Sequence, residues 1–62
     1  MIRYFNGCEW VDMEEECFNG VDNLTNVDVI YSRGNKYIEV IYTDETEEWY
    51  ENVFGTFTKV YF

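Results

Sequence analysis

Residues 37–43, "YIEVIYT", follow a two-residue period. Ile38, Val40 and Tyr42 share one side; Tyr37, Glu39, Ile41 and Thr43 share the other. That period belongs to a strand in a sheet with one well-buried face. The preceding run, "VDVIYS" (27–32), is also β-branched and aromatic, and "RGNK" (33–36) between the two has turn chemistry, so the pair predicts a hairpin. A second hairpin is predicted where Asn6-Gly7 follows "MIRYF", because an Asn-Gly pair readily takes the backbone angles of a tight hairpin turn. Further along, "DETE" (44–47) reads as an acidic turn, residues 47–51 as a strand, and "TFTKVYF" (56–62) as a closing strand.

One stretch resists this reading. In "WVDMEEECFNGV" (10–21) the signals for strand and helix balance across residues 13–19, since "MEEEC" has fair helix propensity. Asp12-x-x-Glu15 resembles a capping box, as does Asp44-x-x-Glu47, and Gly20 and Asn52 stand where such helices would stop. The stretch also has an echo. Set over residues 42–53, it aligns Asp12 with Asp44, Glu15 with Glu47, Glu16 with Glu48 and Val21 with Val53. Two similar units of this kind would form two halves of one small sheet or barrel. The fold expected is mainly β: one domain over residues 1–62, an antiparallel sheet or partly open barrel of about five strands, with room for one or two short helical turns.

Composition narrows the picture. A chain of 62 residues makes one small domain with a limited core. Aromatics make up 21% of it, and each buries on the order of 150–250 Å², so the chain is globular despite its charge. Thirteen acids against four bases leave a net charge of −9. Direct nucleic-acid binding is not expected, because nothing here neutralises a run of phosphates. No signal-peptide core and no apolar run of membrane-spanning length is visible, so neither secretion nor membrane attachment is expected. Cys8 and Cys17 are then expected as reduced thiols acting as small core residues, although a bridge between them stays open.

Candidate chemistry is sparse. With no histidine, the usual general base and the Ser-His and Cys-His pairs are absent, and the four glycines are isolated rather than gathered in a phosphate loop. "DNLTNVD" (22–28) offers oxygen ligands without the spacing of an EF-hand and reads better as a polar connection. No catalysis, cofactor or metal is expected.

The acids remain. Alternate residues on one strand face lie about 6.6–6.8 Å apart, which is about two of the 3.4 Å steps between phosphates on a DNA strand. Asp12, Glu14, Glu15, Glu16, Glu39, Asp44, Glu45, Glu47, Glu48 and Glu51 are therefore candidate contacts to a partner, imitating part of a phosphate track. Trp49 and Tyr50 beside them are candidate aromatic anchors, with core packing as the competing role. Crowding of like charge should also raise some carboxyl pKa values within 12–16 and 44–51. A tiny, proline-free, tyrosine- and acid-rich chain of this kind resembles the small inhibitors that phages and mobile elements encode, among them anti-CRISPR proteins, inhibitors of uracil-DNA glycosylase and anti-restriction decoys. The resemblance covers the whole chain in size and composition and rests on no motif. It implies an inhibitor in the cytoplasm of a bacterial host, occupying the basic nucleic-acid-binding groove of a target protein. The alternative is a structural or regulatory interaction module. It could be homodimeric, pairing through an edge strand at 56–62 or an apolar patch at Phe54 and Phe57, with acidity serving solubility alone.

Overall fold

A computed structural model describes residues 2–13, 18–21 and 24–61. Six strands form in chain order: β1 (Ile2–Phe5), β2 (Trp10–Met13), β3 (Val27–Arg33), β4 (Tyr37–Tyr42), β5 (Glu47–Val53) and β6 (Thr56–Val60). They make one open sheet in the order β2-β1-β3-β4-β5-β6. Both predicted hairpins are present. In the first, the Asn6 side-chain oxygen accepts from the Cys8 and Glu9 amides at 2.8 and 2.9 Å, which closes the loop. Four neighbouring pairs are antiparallel, but β1 and β3 are parallel.

The all-β expectation holds, with three refinements: a sixth strand, one parallel pair, and no helix among the described residues. Strand β2 is the second arm of the first hairpin and ends at Met13, where the stretch with balanced strand and helix signals begins. Asp12 lies inside β2 and so caps no helix there. Asp44 sits in a turn, where its carboxylate accepts from the Thr46 amide and hydroxyl. The echo between 10–21 and 42–53 is not a structural repeat. Residues 18–20 form a bend and turn, whereas their counterparts 50–52 lie in β5.

The parallel pair has a consequence for the core. Parallel neighbours need a crossover of about a dozen residues or more; here β2 returns the chain to its starting end and the link from β2 to β3 completes the crossover. Its described residues Phe18, Val21 and Leu24 pack on one face of the sheet, over Ile2, Val27, Ile30, Ile38, Val40 and Tyr50. Ile30 and Val40 are completely buried. Phe18 meets Tyr4 of β1 and Phe57 of β6 at ring-centroid distances of 5.5 and 5.4 Å. Strands so far apart in the sheet reach one ring only because the sheet curls. The crossover also ties down the β6 edge, where the Phe57 amide donates to the Asn19 carbonyl at 2.7 Å. Gly20 permits that approach: its φ is +94°, and a Cβ there would collide with the Phe57 carbonyl.

The opposite face has no covering layer among the described residues, yet it is not simply polar. Phe5, Trp10 and Tyr31 form a cluster on it with centroids 5.2–6.2 Å apart. Arg3 lies over Trp10 and Arg33 over Tyr31. Cys8 departs from expectation. It is an exposed free thiol in the first hairpin loop, because the Asx turn at Asn6 directs the loop outward. Cys17 lies outside the described residues.

Candidate protein-binding surface

Every cation in the chain has an acid of its own. Arg3 pairs with Asp28 at 3.6 Å, Arg33 with Glu39 at 2.8 Å, Lys36 with Glu51 at 3.1 Å, and Lys59 with Glu48. Among the described residues no ion pair reaches Glu9, Asp12, Asp44, Glu45 or Glu47, although Arg3 faces Asp12 across β1 and β2 and the Arg33 charge acts on Glu47. Strand direction then gathers most of them. Met13 at the end of β2 pairs with Ile2, Val27 at the start of β3 with Tyr42, and Glu47 at the start of β5 with Ile41. Asp12, Asp44, Glu45 and Glu47 therefore share one end of the sheet. The other end carries Arg33, Lys36 and the remaining hairpin loops. Glu14, Glu15 and Glu16 lie outside the described residues.

Glu45 is held outward at that acidic end by its backbone. The Tyr42 amide donates to the Thr46 carbonyl at 2.8 Å, and the Glu45 amide to the Tyr42 carbonyl at 3.0 Å. This three-residue hairpin loop ends on a left-handed residue, a site that favours glycine. Glu45 occupies it with φ +72°. Thr46 holds the Asp44 carboxyl below its ordinary range through a side-chain and then a backbone hydrogen bond, so this acid stays ionised.

The remaining candidates separate by face. Glu47, Trp49 and Glu51 alternate onto the outer face, where Glu39 lies directly between Tyr31 and Trp49. Glu39 is only 7% exposed, a buried charge made tolerable by Arg33, whose Nε and Nη2 donate to its Oε1 at 3.1 and 2.8 Å. Glu47 lies against Glu39, and this shared hydrogen bond and repulsion raise its pKa. Glu48 and Tyr50 alternate onto the inner face. Tyr50 is 1% exposed and belongs to the core, so of the two aromatic candidates only Trp49 remains at the surface. Glu48 accepts from the Tyr42 hydroxyl at 2.5 Å and the Tyr50 hydroxyl at 3.2 Å, and it pairs with Lys59. The Lys59 and tyrosine hydrogen bonds lower its pKa. Burial first, then the Glu48 carboxylate, pushes the Tyr42 hydroxyl above the ordinary phenol range. Glu48 is thus a structural group at the rim of the core.

A shallow cleft of about 360 Å³ opens at the acidic end, lined by Glu47, Glu48, Trp49, Lys59, Val60 and Tyr61. Its own Lys59 already meets the Glu48 carboxylate and lies 5.1 Å from the Tyr61 ring centroid, the two contacts such a cleft offers a cation. Among the described residues no cluster of three His, Cys, Asp or Glu side chains is placed to hold a metal. Two surface residues escaped the list of acidic contacts. Glu9 lies in the first loop with no ion pair among the described residues, and Phe54 is fully exposed at the β5–β6 turn. Phe54 and Phe57 do not form one apolar patch, because Phe57 turns inward onto Phe18. No protein-family model matches the chain, and neither a curated protein nor a solved structure is significantly similar to it.

Proposed function

We propose that the protein binds the basic, nucleic-acid-binding groove of another protein and blocks it by occupancy, without turnover. One observation carries this reading. The four Lys and Arg side chains pair with Asp28, Glu39, Glu48 and Glu51, while Asp12, Asp44, Glu45 and Glu47, which no ion pair reaches among the described residues, collect at one end of the sheet. A charge distribution serving solubility alone needs only scattered acids; a one-sided negative field steers the chain towards a basic partner. Glu45 strengthens the case, since it fills a backbone site where glycine would be less strained. The anti-CRISPR-like or anti-restriction-like role in a bacterial cytoplasm is the biological form of this proposal.

The test is a competition. Immobilised protein is exposed to a bacterial lysate at low salt, retained proteins are challenged with DNA or RNA, and the displaced protein is identified and purified. The expected target is a nucleic-acid-binding protein whose affinity falls steeply with salt. The triple variant D44N/E45Q/E47Q should bind it more weakly, mainly through slower association, and with a shallower salt dependence. A target that neither nucleic acid nor the triple variant affects refutes the reading.

A further inference from the structure

Phe54 occupies a position that neither its side chain nor its backbone explains by folding. It is 103% exposed, and its φ is +52°. Together with Gly55, at φ +86°, it forms the two-residue loop between the cross-strand partners Val53 and Thr56. Two successive positive φ values are the pattern of a type I′ turn, whose preferred sequence is Asn-Gly. A bulky residue at positive φ is an outlier, and strain of this kind concentrates at functional positions. The turn is braced by the Asn52 side-chain oxygen, which accepts from the Gly55 amide at 2.9 Å. Val53 beside it is 42% exposed, which extends the apolar tip.

Position 54 has a counterpart. Glu45 and Phe54 are the two non-glycine residues with positive φ among the described residues, and they stand at opposite ends of β5. One presents a carboxylate at the acidic end and the other a phenyl ring at the far end. Seven strand residues separate the ends by roughly 23 Å. The nearby cations at the far end, Arg33 and Lys36, are already paired with Glu39 and Glu51, so the ring stands in locally neutral surroundings.

We propose that Phe54 is a pre-organised anchor that enters an apolar pocket of the target protein, at the far end of the same groove whose basic end receives Asp44, Glu45 and Glu47. The target is identified through the preceding proposal. Its groove is basic at one end and closed roughly 23 Å away by a pocket of aliphatic or aromatic side chains. A rigid aromatic side chain loses little freedom on entering such a pocket, and buried aromatic anchors dominate interface energies.

The test uses F54N, which restores the preferred Asn-Gly turn, measured with the purified DNA-displaceable target. The variant should melt at a higher temperature than the parent. Its affinity should fall by roughly 30-fold or more, through faster dissociation, with the salt slope unchanged. D44N/E45Q/E47Q should do the reverse, flattening the salt slope through association. Unchanged affinity in F54N beside a weakened acidic variant overturns the anchor and leaves the groove reading standing. A weakened F54N beside an unaffected acidic variant overturns the placement of Phe54 and the three acids at opposite ends of one groove. A lower melting temperature in F54N makes the ring structural and overturns the anchor. So does a concentration-dependent dimer, seen by sedimentation of the parent alone and lost in F54N, because the pocket would then belong to a second copy.

Discussion

Glu47 and Glu48 are neighbours in β5, yet their carboxyls live in opposite environments. Glu48 turns to the inner face, where Lys59, Tyr42 and Tyr50 all favour its charged form. Glu47 turns to the outer face, where the carboxyl of Glu39 opposes it. One acid completes a polar rim around the core; the other forms no ion pair among the described residues and lies against a second carboxyl. Composition counts both alike. The difference shows that acidity here has two roles, divided by the two faces of a strand.

The sharpest way to break this comparison is to ask whether the outer face is a second core. Ile30→Ala should destabilise the chain by about 2–5 kcal/mol, enough to unfold much of so small a domain. Trp10→Ala, at a half-exposed outer position, should cost far less. Equal losses in urea titrations would show that both faces hold the fold. Next comes the lid over the inner face. Gly20→Ala forces a side chain into the Phe57 carbonyl and a residue into a left-handed conformation, at a cost on the order of 2 kcal/mol. Amide exchange at Phe57 should accelerate with it; if it stays slow, the crossover is not what secures the β6 edge.

Exchange of the two glutamates sharpens the comparison directly. Glu48→Gln weakens three charge-assisted hydrogen bonds at a partly buried site and should cost about 1–2 kcal/mol. Glu47→Gln relieves repulsion and should leave the melting temperature at neutral pH equal or higher. A loss at Glu47 as large as at Glu48 would erase the distinction.

The smallest expected effect is on the pH profile, where the two signs are opposite. The folded pKa of Glu48 lies below its unfolded value, so its stabilisation is present above the unfolded value and lost as pH falls through the folded one. Asp44 behaves likewise through Thr46. The folded pKa of Glu47 lies above its unfolded value, so its contribution is present below the unfolded value and lost as pH rises through the folded one. Stability at low salt should therefore peak in mild acid, near about pH 5. Glu47→Gln should flatten the decline towards neutral pH, and Glu48→Gln the decline towards strong acid. A parent profile level from about pH 5 to 8 would contradict the Glu47 assignment, and one level from about pH 5 down to 2 the Glu48 assignment.

Local signals made much of the fold legible. The strand read from the alternation at 37–43 is present, and the structure makes the side with Ile38 and Val40 the buried one; the turn chemistry at Asn6 and 33–36 correctly predicted the hairpins. The strand at β5 and the closing strand at β6 were equally readable. The parallel β1–β3 pair was not, because strands distant in sequence carry no local mark of their pairing. The end of strand β2 was obscured by the helix-favouring glutamates that follow it in the sequence. In the acidic surface, the residues themselves were legible but not their division. Glu39 is buried because Tyr31 and Trp49 flank it across β3 and β5, and no local pattern announces that register.

The sequence alone determined the excess of acid, the shortage of cations to meet it, and the two-residue period that forces β structure. These depend on residues within a few positions of one another. Only the tertiary structure decided which carboxylates are neutralised and which gather at one end. A carboxyl's energy is set by charges and donors within a few ångströms, and here those neighbours come from other strands. Strand register, not residue count, separates Glu48 at the rim of the core from Glu47 on the surface proposed to meet a partner.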